Sequence, residues 1–425
     1  MVIERTRLFA DRKEAITLLC ILLSILGIRI YMEYREYRTF ISIPFHYTNA
    51  QIVSASRREG RFGGYYILGL ESEDFGKFYT SSREFDDPEY RKVRLRLIPD
   101  SDMTFASYMS TPFIKSSIVS IGEHGDTTRE KISRNISRQH ANENAGRLFG
   151  AIFLAEPLPR ELREGITSFG IGHLVALSGF HLGIIWGGIF MILSFPYRYF
   201  QKRRFPYRCR TIDLGLSTLI IMAAYLALTG SPPSLLRAYT MMAIGWMALV
   251  SGLELVSFEL LTASILLLST LLPRLPFSIS FQLSVAGVFY IFLIVKHFGD
   301  RMSGKSISLA IPFLIFVLMQ PVSRLYFDAI SVKQLLSPIL SLLFIPFYPI
   351  EAILHLIGKG DMLDPLLIPL LETSTHMGSA KGDPLLFILL FAPLSISAIW
   401  NERAFWALLL SATLYTLYIF IRFSL

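Results

Sequence analysis

The sequence predicts a polytopic α-helical membrane protein, with about ten transmembrane helices and a small extracytoplasmic β-barrel domain. Three observations carry this prediction. The 425 residues are 52% hydrophobic and only 17% charged, well below the roughly 25% charge of soluble domains. Apolar runs of about 18 residues or more recur from end to end. One stretch near the front lacks such runs and alternates short apolar and polar segments with turn signals between them.

Arg5, Arg7, Arg12 and Lys13 precede the first apolar run, 14–30. No small-residue cleavage site follows it, so it reads as an uncleaved anchor. The basic residues ahead of it place the N-terminus in the cytoplasm. The β domain then lies on the far side of the membrane.

That domain shows five strand-like runs, at 46–55, 64–72, 76–82, 91–98 and 113–121, with Gly- and Asp-rich turns between them. Five short strands with such turns predict a small closed or half-open barrel of the OB-fold kind. Residues 33–145 hold 16 basic and 16 acidic side chains, so the region is not a general magnet for polyanions. Its cations are local. Arg57, Arg58 and Arg61 run into Phe62, Tyr65 and Tyr66, and Arg94 and Arg96 alternate along the fourth run beside Arg91 and Lys92. Aromatics beside arginines are what a single-strand platform needs. An ordinary barrel, with tyrosines in its core and arginines on solvated strand faces, would look the same.

A polar helix follows at 125–145, with Ile132 and Ile136 on one face. The pieces 147–156 and 158–170 are too short to span and fit interfacial or half-membrane helices. Further spanning candidates are 171–195, 211–229, 235–252, 258–272, 277–296, 306–321, 334–357, 385–400 and 404–422. With the anchor this is an even number, which returns the C-terminus to the cytoplasm. The loop bearing Arg198, Lys202, Arg203, Arg204, Arg208 and Arg210 belongs there as well. The formal net charge of +8 lies wholly outside 33–145, where 25 basic residues face 17 acidic ones. Orientation therefore accounts for most of it. Cys20 and Cys209 sit in an apolar run and a basic loop, so no disulfide and no zinc spacing is expected. The chain divides into an anchor (1–32), the β domain (33–125), amphipathic or interfacial helices (126–170), a membrane core (171–357), and a cytoplasmic loop with the last spans (358–425).

Three stretches put polar groups where hydrocarbon should be. The run 173–188, HLVALSGFHLGIIWGG, carries His173, His181 and the Ser178–Gly179 pair. Imidazoles are costly in lipid unless they face protein or water, and a Ser–Gly step loosens a helix. The run 231–242, SPPSLLRAYTMM, sets Arg237 one turn inside a helix opened by a double proline. An arginine there can hold an anion together with a nearby helix N-terminus, or snorkel to the interface. The run 277–287, FSISFQLSVAG, embeds Gln282 and Ser284, which also suit plain interhelical bonding. Glu351 and His355, with the loop residues Asp361, Asp364, Glu372 and His376, show no metal spacing and read as a helix end plus a cytoplasmic loop.

In this order and at these separations, HLVALSGFHLGII, PSLLRAYTM and FQLSVAG resemble the three signatures of the ComEC competence-protein family. The lead-in RLFGAIFLAEPLPRELREGITSFG is similar to that family's as well. The resemblance covers about 147–357, and the β domain agrees in place and type with the family's periplasmic OB-fold. It implies an inner-membrane channel, not an enzyme, that admits single-stranded DNA to the cytoplasm during natural transformation. The family's motif set falls on His173, Ser178, Gly179, His181, Pro233, Ser234, Arg237, Phe281, Gln282, Leu283 and Ser284. Val175, Leu177 and Phe180 are apolar departures. The implied lining of the channel is His173, Ser178, Gly179, His181, Arg237, Gln282 and Ser284. The implied DNA-binding surface of the β domain is Arg57, Arg58, Arg61, Phe62, Tyr65, Tyr66, Arg94 and Arg96.

Many members end in a metallo-β-lactamase-like domain. No H-x-H-x-D-H segment occurs here, so degradation of the other strand is expected of another protein. The β domain has no cysteines, so the disulfide of some relatives cannot form. No cofactor and no metal is expected. With no GxxxxGK[ST] in the chain, the implied partners are the lipid bilayer, a periplasmic DNA receptor, and a cytoplasmic motor or single-strand-binding and recombination proteins. Two readings from other classes stay open. Ser178 with a histidine could form an intramembrane serine protease, and broken helices around an arginine could serve a secondary transporter of a small anion.

Overall fold

A computed structural model describes residues 12–60, 63–72, 74–83, 91–124, 127–252, 258–372 and 377–424. The first helix, α1 (Arg12–Ser42), is 31 residues long, about 46 Å at 1.5 Å per residue. That exceeds the membrane, and its last turns serve a second purpose. Phe40 is 2% exposed inside the β-domain core, with Tyr37 and Ile41 packed beside it. The Tyr37 hydroxyl donates to the Met103 carbonyl at 2.6 Å. The helix therefore runs through position 33 without a break and plugs the domain it delivers.

The domain is a five-stranded antiparallel sheet of β1 (His46–Gly60), β2 (Gly63–Ser72), β3 (Gly76–Ser82), β4 (Arg91–Ile98) and β5 (Lys115–His124), in the order β3-β2-β1-β4-β5. The short helix α2 (Phe105–Met109) precedes β5. Long β1 pairs with β4 through its first half and with β2 through its second, with a register shift between Ile52 and Ser54. A bulge of this kind bends a strand, which lets one strand serve both sides of a curling sheet. The two edges then meet. Tyr79 donates its N–H to the Pro112 carbonyl and accepts from Ile114 N–H, both at 2.8 Å. Along β4, Val93, Leu95 and Leu97 point inward and are buried, while Lys92, Arg94 and Arg96 point outward. This is the period-two alternation expected of a half-buried strand.

The polar helix α3 (Thr128–Ser137) is capped by Thr127, and α4 (Glu143–Leu154) by Asn142. Helix α4 packs against other helices along most of its length. Phe149, Ile152 and Leu154 are buried in one cluster with Leu162 and Ile166 of α5 (Arg160–Ser168) and with Phe344 and Tyr348. A short turn, α6 (Gly172–Val175), leads to the long helices α7 (Gly179–Arg204), α8 (Arg210–Leu228), α9 (Pro233–Val250), α10 (Phe258–Leu271), α11 (Ile279–Phe298) and α12 (Gly304–Ser323). After these come α13 (Ser337–Leu356), α14 (Asp364–Glu372), α15 (Pro384–Leu386), α16 (Ala392–Ser397) and α17 (Glu402–Ser424), with a π turn at Phe387–Phe391.

Helices occupy all ten stretches expected to span. Among the described residues, seven are long and apolar enough to cross a membrane, and Phe258–Leu271 and Pro384–Ser397 are shorter. Their outward faces are apolar: Phe195 and Leu356 are 85% and 86% exposed. Such a surface belongs in lipid. Lipid tails are as apolar as leucine, so what draws these helices together is close packing and polar contact.

Candidate functional site

The site is assembled from three helix ends. Ser178 precedes α7 with extended backbone angles, and a capping box joins it to His181. Ser178 N–H donates to His181 Nδ1 at 3.2 Å, and the Ser178 hydroxyl lies 3.0 Å from the same nitrogen. The Ser–Gly step therefore starts a helix and does not interrupt one. Since Nδ1 accepts, the ring's proton sits on Nε2, which is buried and faces the backbone at Leu174. His181 is 0% exposed, with its ring against Tyr348 and Phe344 at 4.7 and 5.3 Å. This geometry bears on the protease reading. The nitrogen that would activate Ser178 is already engaged by that residue's own backbone, so the pair is occupied as a cap.

Gly179, the first residue of α7, lies against α9. A Cβ there would meet the Ala238 Cβ at 3.2 Å and Arg237 Nη2 at 3.8 Å, so only glycine admits this close approach without a shift. Helix α9 opens with Pro233 at its first position, where a missing N–H costs nothing. Gly230 and Ser231 ahead of it are left-handed, at φ 74° and 51°. The Ser234 hydroxyl then donates to the Leu177 carbonyl at 2.7 Å, fastening α9 to the loop before α7.

Arg237 is the centre of the arrangement. It is 3% exposed and, among the described residues, has no ion-pair partner. Nε and Nη2 both donate to the Ser284 hydroxyl on α11, at 2.9 and 2.6 Å, and Nη1 approaches Met241 Sδ at 2.9 Å. A guanidinium has five N–H donors and no acceptor, so these contacts leave two donors and a full charge uncompensated. The positive end of α7 begins beside it at Gly179.

The structure thus brings Ser178, Gly179, Arg237 and Ser284 together, with His181 behind them. Gln282 and His173 have other partners. Gln282 Nε2 donates to the Pro276 carbonyl at 2.7 Å and its Oε1 accepts from the Tyr326 hydroxyl, which fixes the turn before α11. His173 is exposed on α6, bonded to the Gly170 carbonyl at 3.1 Å and to Ser341 Oγ at 3.2 Å.

In the β domain, Arg94 lies over the Tyr47 ring at 5.8 Å and Arg96 over Phe45 at 4.3 Å. Both rings are exposed. Neither was singled out from the sequence, although the FHY run at 45–47 opens the strand that pairs with β4. Tyr65 and Tyr66 point to opposite faces. Tyr66 packs on the core of the domain, while Tyr65 lines a cavity of about 500 Å³ with Ile67, Ser81, Ser82, Arg83 and Phe113. Arg57 and Arg58 pair in register with Tyr66 and Tyr65. Arg61, Phe62 and His376 lie outside the described residues.

A further contact joins the two parts of the molecule and left no mark in the sequence. Arg274, after α10, donates to Glu33 Oε2 at 2.9 Å, to the Phe75 carbonyl at 3.0 Å and to the Tyr108 hydroxyl at 3.0 Å.

Comparison with known proteins bears on the same region. The competence-protein family model matches residues 155–359. A protein of Aquifex aeolicus (strain VF5), described as uncharacterized, is 26% identical over 291 residues, covering 68% of this chain and 64% of its own length. ComE operon protein 3 of Bacillus subtilis (strain 168) is 26% identical over 204 residues, 44% of this chain and 22% of that protein. The chain thus spans less than two thirds of the length of either relative. No solved structure matches. The matched segment contains Ser178, Gly179, Arg237 and Ser284, and over that segment the chain is similar to the competence-protein family and to ComE operon protein 3.

Proposed function

We propose that the protein passes single-stranded DNA across the bacterial inner membrane into the cytoplasm during natural transformation. The observation that carries this reading is Arg237, a buried cation with no carboxylate partner among the described residues, set beside the N-terminus of α7. A polyanion cannot cross hydrocarbon, so its path must offer positive groups and replace lost hydration. One arginine held by a serine hydroxyl attracts phosphate without trapping it, and passage requires weak binding.

In this reading ten helices span the membrane, both termini are cytoplasmic and the β domain is periplasmic. Support for an OB-fold comes from the strand order β3-β2-β1-β4-β5, with the β3 edge bonded back to 112–114. The domain takes up the strand through the Arg94–Tyr47 and Arg96–Phe45 pairs and the cavity at Tyr65, by stacking and charge and not by sequence. A periplasmic receptor delivers the DNA, and a cytoplasmic motor or strand-binding protein draws it in.

The test follows labelled DNA in cells carrying Arg237→Ala. Entry into the cytoplasm should be lost while DNA still accumulates in the periplasm. Normal transformation by this variant, at normal protein level, would overturn the proposal.

A further inference from the structure

Two buried imidazoles face each other where the α3–α4 turn packs on the end of α13. His140 Nε2 lies 3.0 Å from His355 Nε2. Each ring's other nitrogen is also engaged. His140 Nδ1 is 2.9 and 3.1 Å from the two oxygens of Asp364, at the start of α14. His355 Nδ1 is 2.8 Å from the Glu351 carbonyl and 3.3 Å from Glu351 Oε2. The side chains of His140 and Glu351 are 0% and 1% exposed, and among the described residues neither carboxylate oxygen of Glu351 has a hydrogen bond.

The surroundings add little charge. Helix α4 covers the row with Phe149, stacked on His140 at 4.9 Å, and with Phe153 against His355. Helix α13 adds Phe347 and, one turn before Glu351, Tyr348. Gln139 ties the same turns together through the His355 carbonyl and Gly360 N–H. The titratable groups facing the pair are therefore Asp364, Glu351 and Tyr348.

Counting protons decides what the row is. Its ends, the Asp364 carboxylate and the Glu351 carbonyl, are acceptors. If both Nδ1 atoms donate to them from neutral rings, both Nε2 atoms become bare acceptors, and two lone pairs would oppose each other across 3.0 Å. Three contacts in a row need three protons, and two neutral imidazoles carry two. The third sits either on the rings, as an imidazolium balanced by Asp364, or on the Asp364 carboxyl with both rings neutral. A metal ion between the rings would need further ligands, and no His/Cys/Asp/Glu group able to hold one occurs among the described residues.

We propose that Asp364, His140, His355 and Glu351 form a proton-binding site that carries one proton between the two carboxylates. Rows of buried Asp, Glu and His inside membrane proteins are suited to proton relay. The transfer balances. Protonated Asp364 gives its proton to His140 Nδ1, His140 Nε2–H passes to His355 Nε2, and His355 Nδ1–H passes to Glu351 Oε2. One O–H bond breaks at Asp364 and one forms at Glu351. Both rings end neutral with their tautomers exchanged, and the negative charge moves from Glu351 to Asp364.

The test is infrared titration of the full chain in lipid bilayers over a wide pH range. The readout is the protonated-carboxyl and imidazole bands. Wild type should release one proton in a single step seen in both kinds of band. His140→Phe, which keeps the stack on Phe149, and Asp364→Asn should each abolish the whole step. Glu351→Gln should keep proton binding and lose only the transfer to position 351. Persistence of the step in His140→Phe would overturn the proposal. So would neutral rings with no protonated carboxyl across the range, or displacement of both Nε2 environments by added Zn²⁺ without proton release.

Discussion

The Arg237 guanidinium on α9 spends two of its donors on one acceptor, the hydroxyl of Ser284 on α11. That contact joins the second and third motifs of the chain. Ser284→Ala removes the acceptor and leaves the cation buried among apolar neighbours. Hydrogen bonds to charged groups contribute about 1.5–3 kcal/mol, so a loss of that order is expected on denaturant unfolding in detergent. Ser284→Thr, which keeps the hydroxyl, should lose much less. Equal stability of the alanine variant and wild type would mean that Ser284 does not hold Arg237.

Gly179 sets the spacing of α7 and α9. Gly179→Ala would press a methyl onto the Ala238 Cβ at 3.2 Å, and overpacking of this kind costs about 1–3 kcal/mol. The double variant Gly179→Ala with Ala238→Gly should recover most of that loss, because the two methyl groups exchange places. Additive losses in a double-mutant cycle would show that the contact is not the cause.

Ser178 should behave as a cap and not as a nucleophile. Ser178→Ala is expected to cost about 0.5–2 kcal/mol in stability and to reduce DNA entry in proportion. Ser178→Asn, a good cap without a nucleophilic oxygen, should restore both. Complete loss of activity in the Asn variant at normal stability would favour serine chemistry instead.

Arg274 fastens the β domain to the membrane core through Glu33, Phe75 and Tyr108. Lysine can keep one of these three contacts but not the fork. Arg274→Lys should therefore loosen the domain, seen as faster amide exchange at the end of α1 and in β3 with the β4 core unchanged. Uniform exchange throughout the domain would count against a joint at this position.

The β domain should also respond to acid at one surface site. Asp100 accepts from Asp102 N–H and from Lys115 Nζ, and these contacts hold its carboxyl below the ordinary carboxylate range. A lowered folded value means the contribution is present above about pH 4, the unfolded value, and is lost as pH falls through the folded one. Asp100→Asn should flatten the acid limb of a thermal-stability profile and leave the neutral region nearly unchanged. An identical acid limb in the variant would remove Asp100 as its source.

The hydrophobic pattern along the chain was enough to locate the β strands, the helical stretches and the polar motifs inside them. Periodicity reports which face of an element is buried, and that is a local property. It is why Val93, Leu95 and Leu97 could be told from Arg94 and Arg96 before any coordinates. The motif order also pointed to the family whose model matches residues 155–359. What periodicity cannot report is which buried faces meet. Helix α4 reads as an interfacial or half-membrane piece by its length, and its length does not report that α5 and α13 pack over it. Gln282 and Ser284, two residues apart on one helix, have different partners, the turn at Pro276 and Arg237. His140 carried no signal at all, since its partner His355 is 215 positions away. Contacts between distant segments depend on how helices pack and cross. That packing alone turned the Ser–Gly step into a cap, Arg237 into the centre of three motifs, and His140 and His355 into a row that shares a proton.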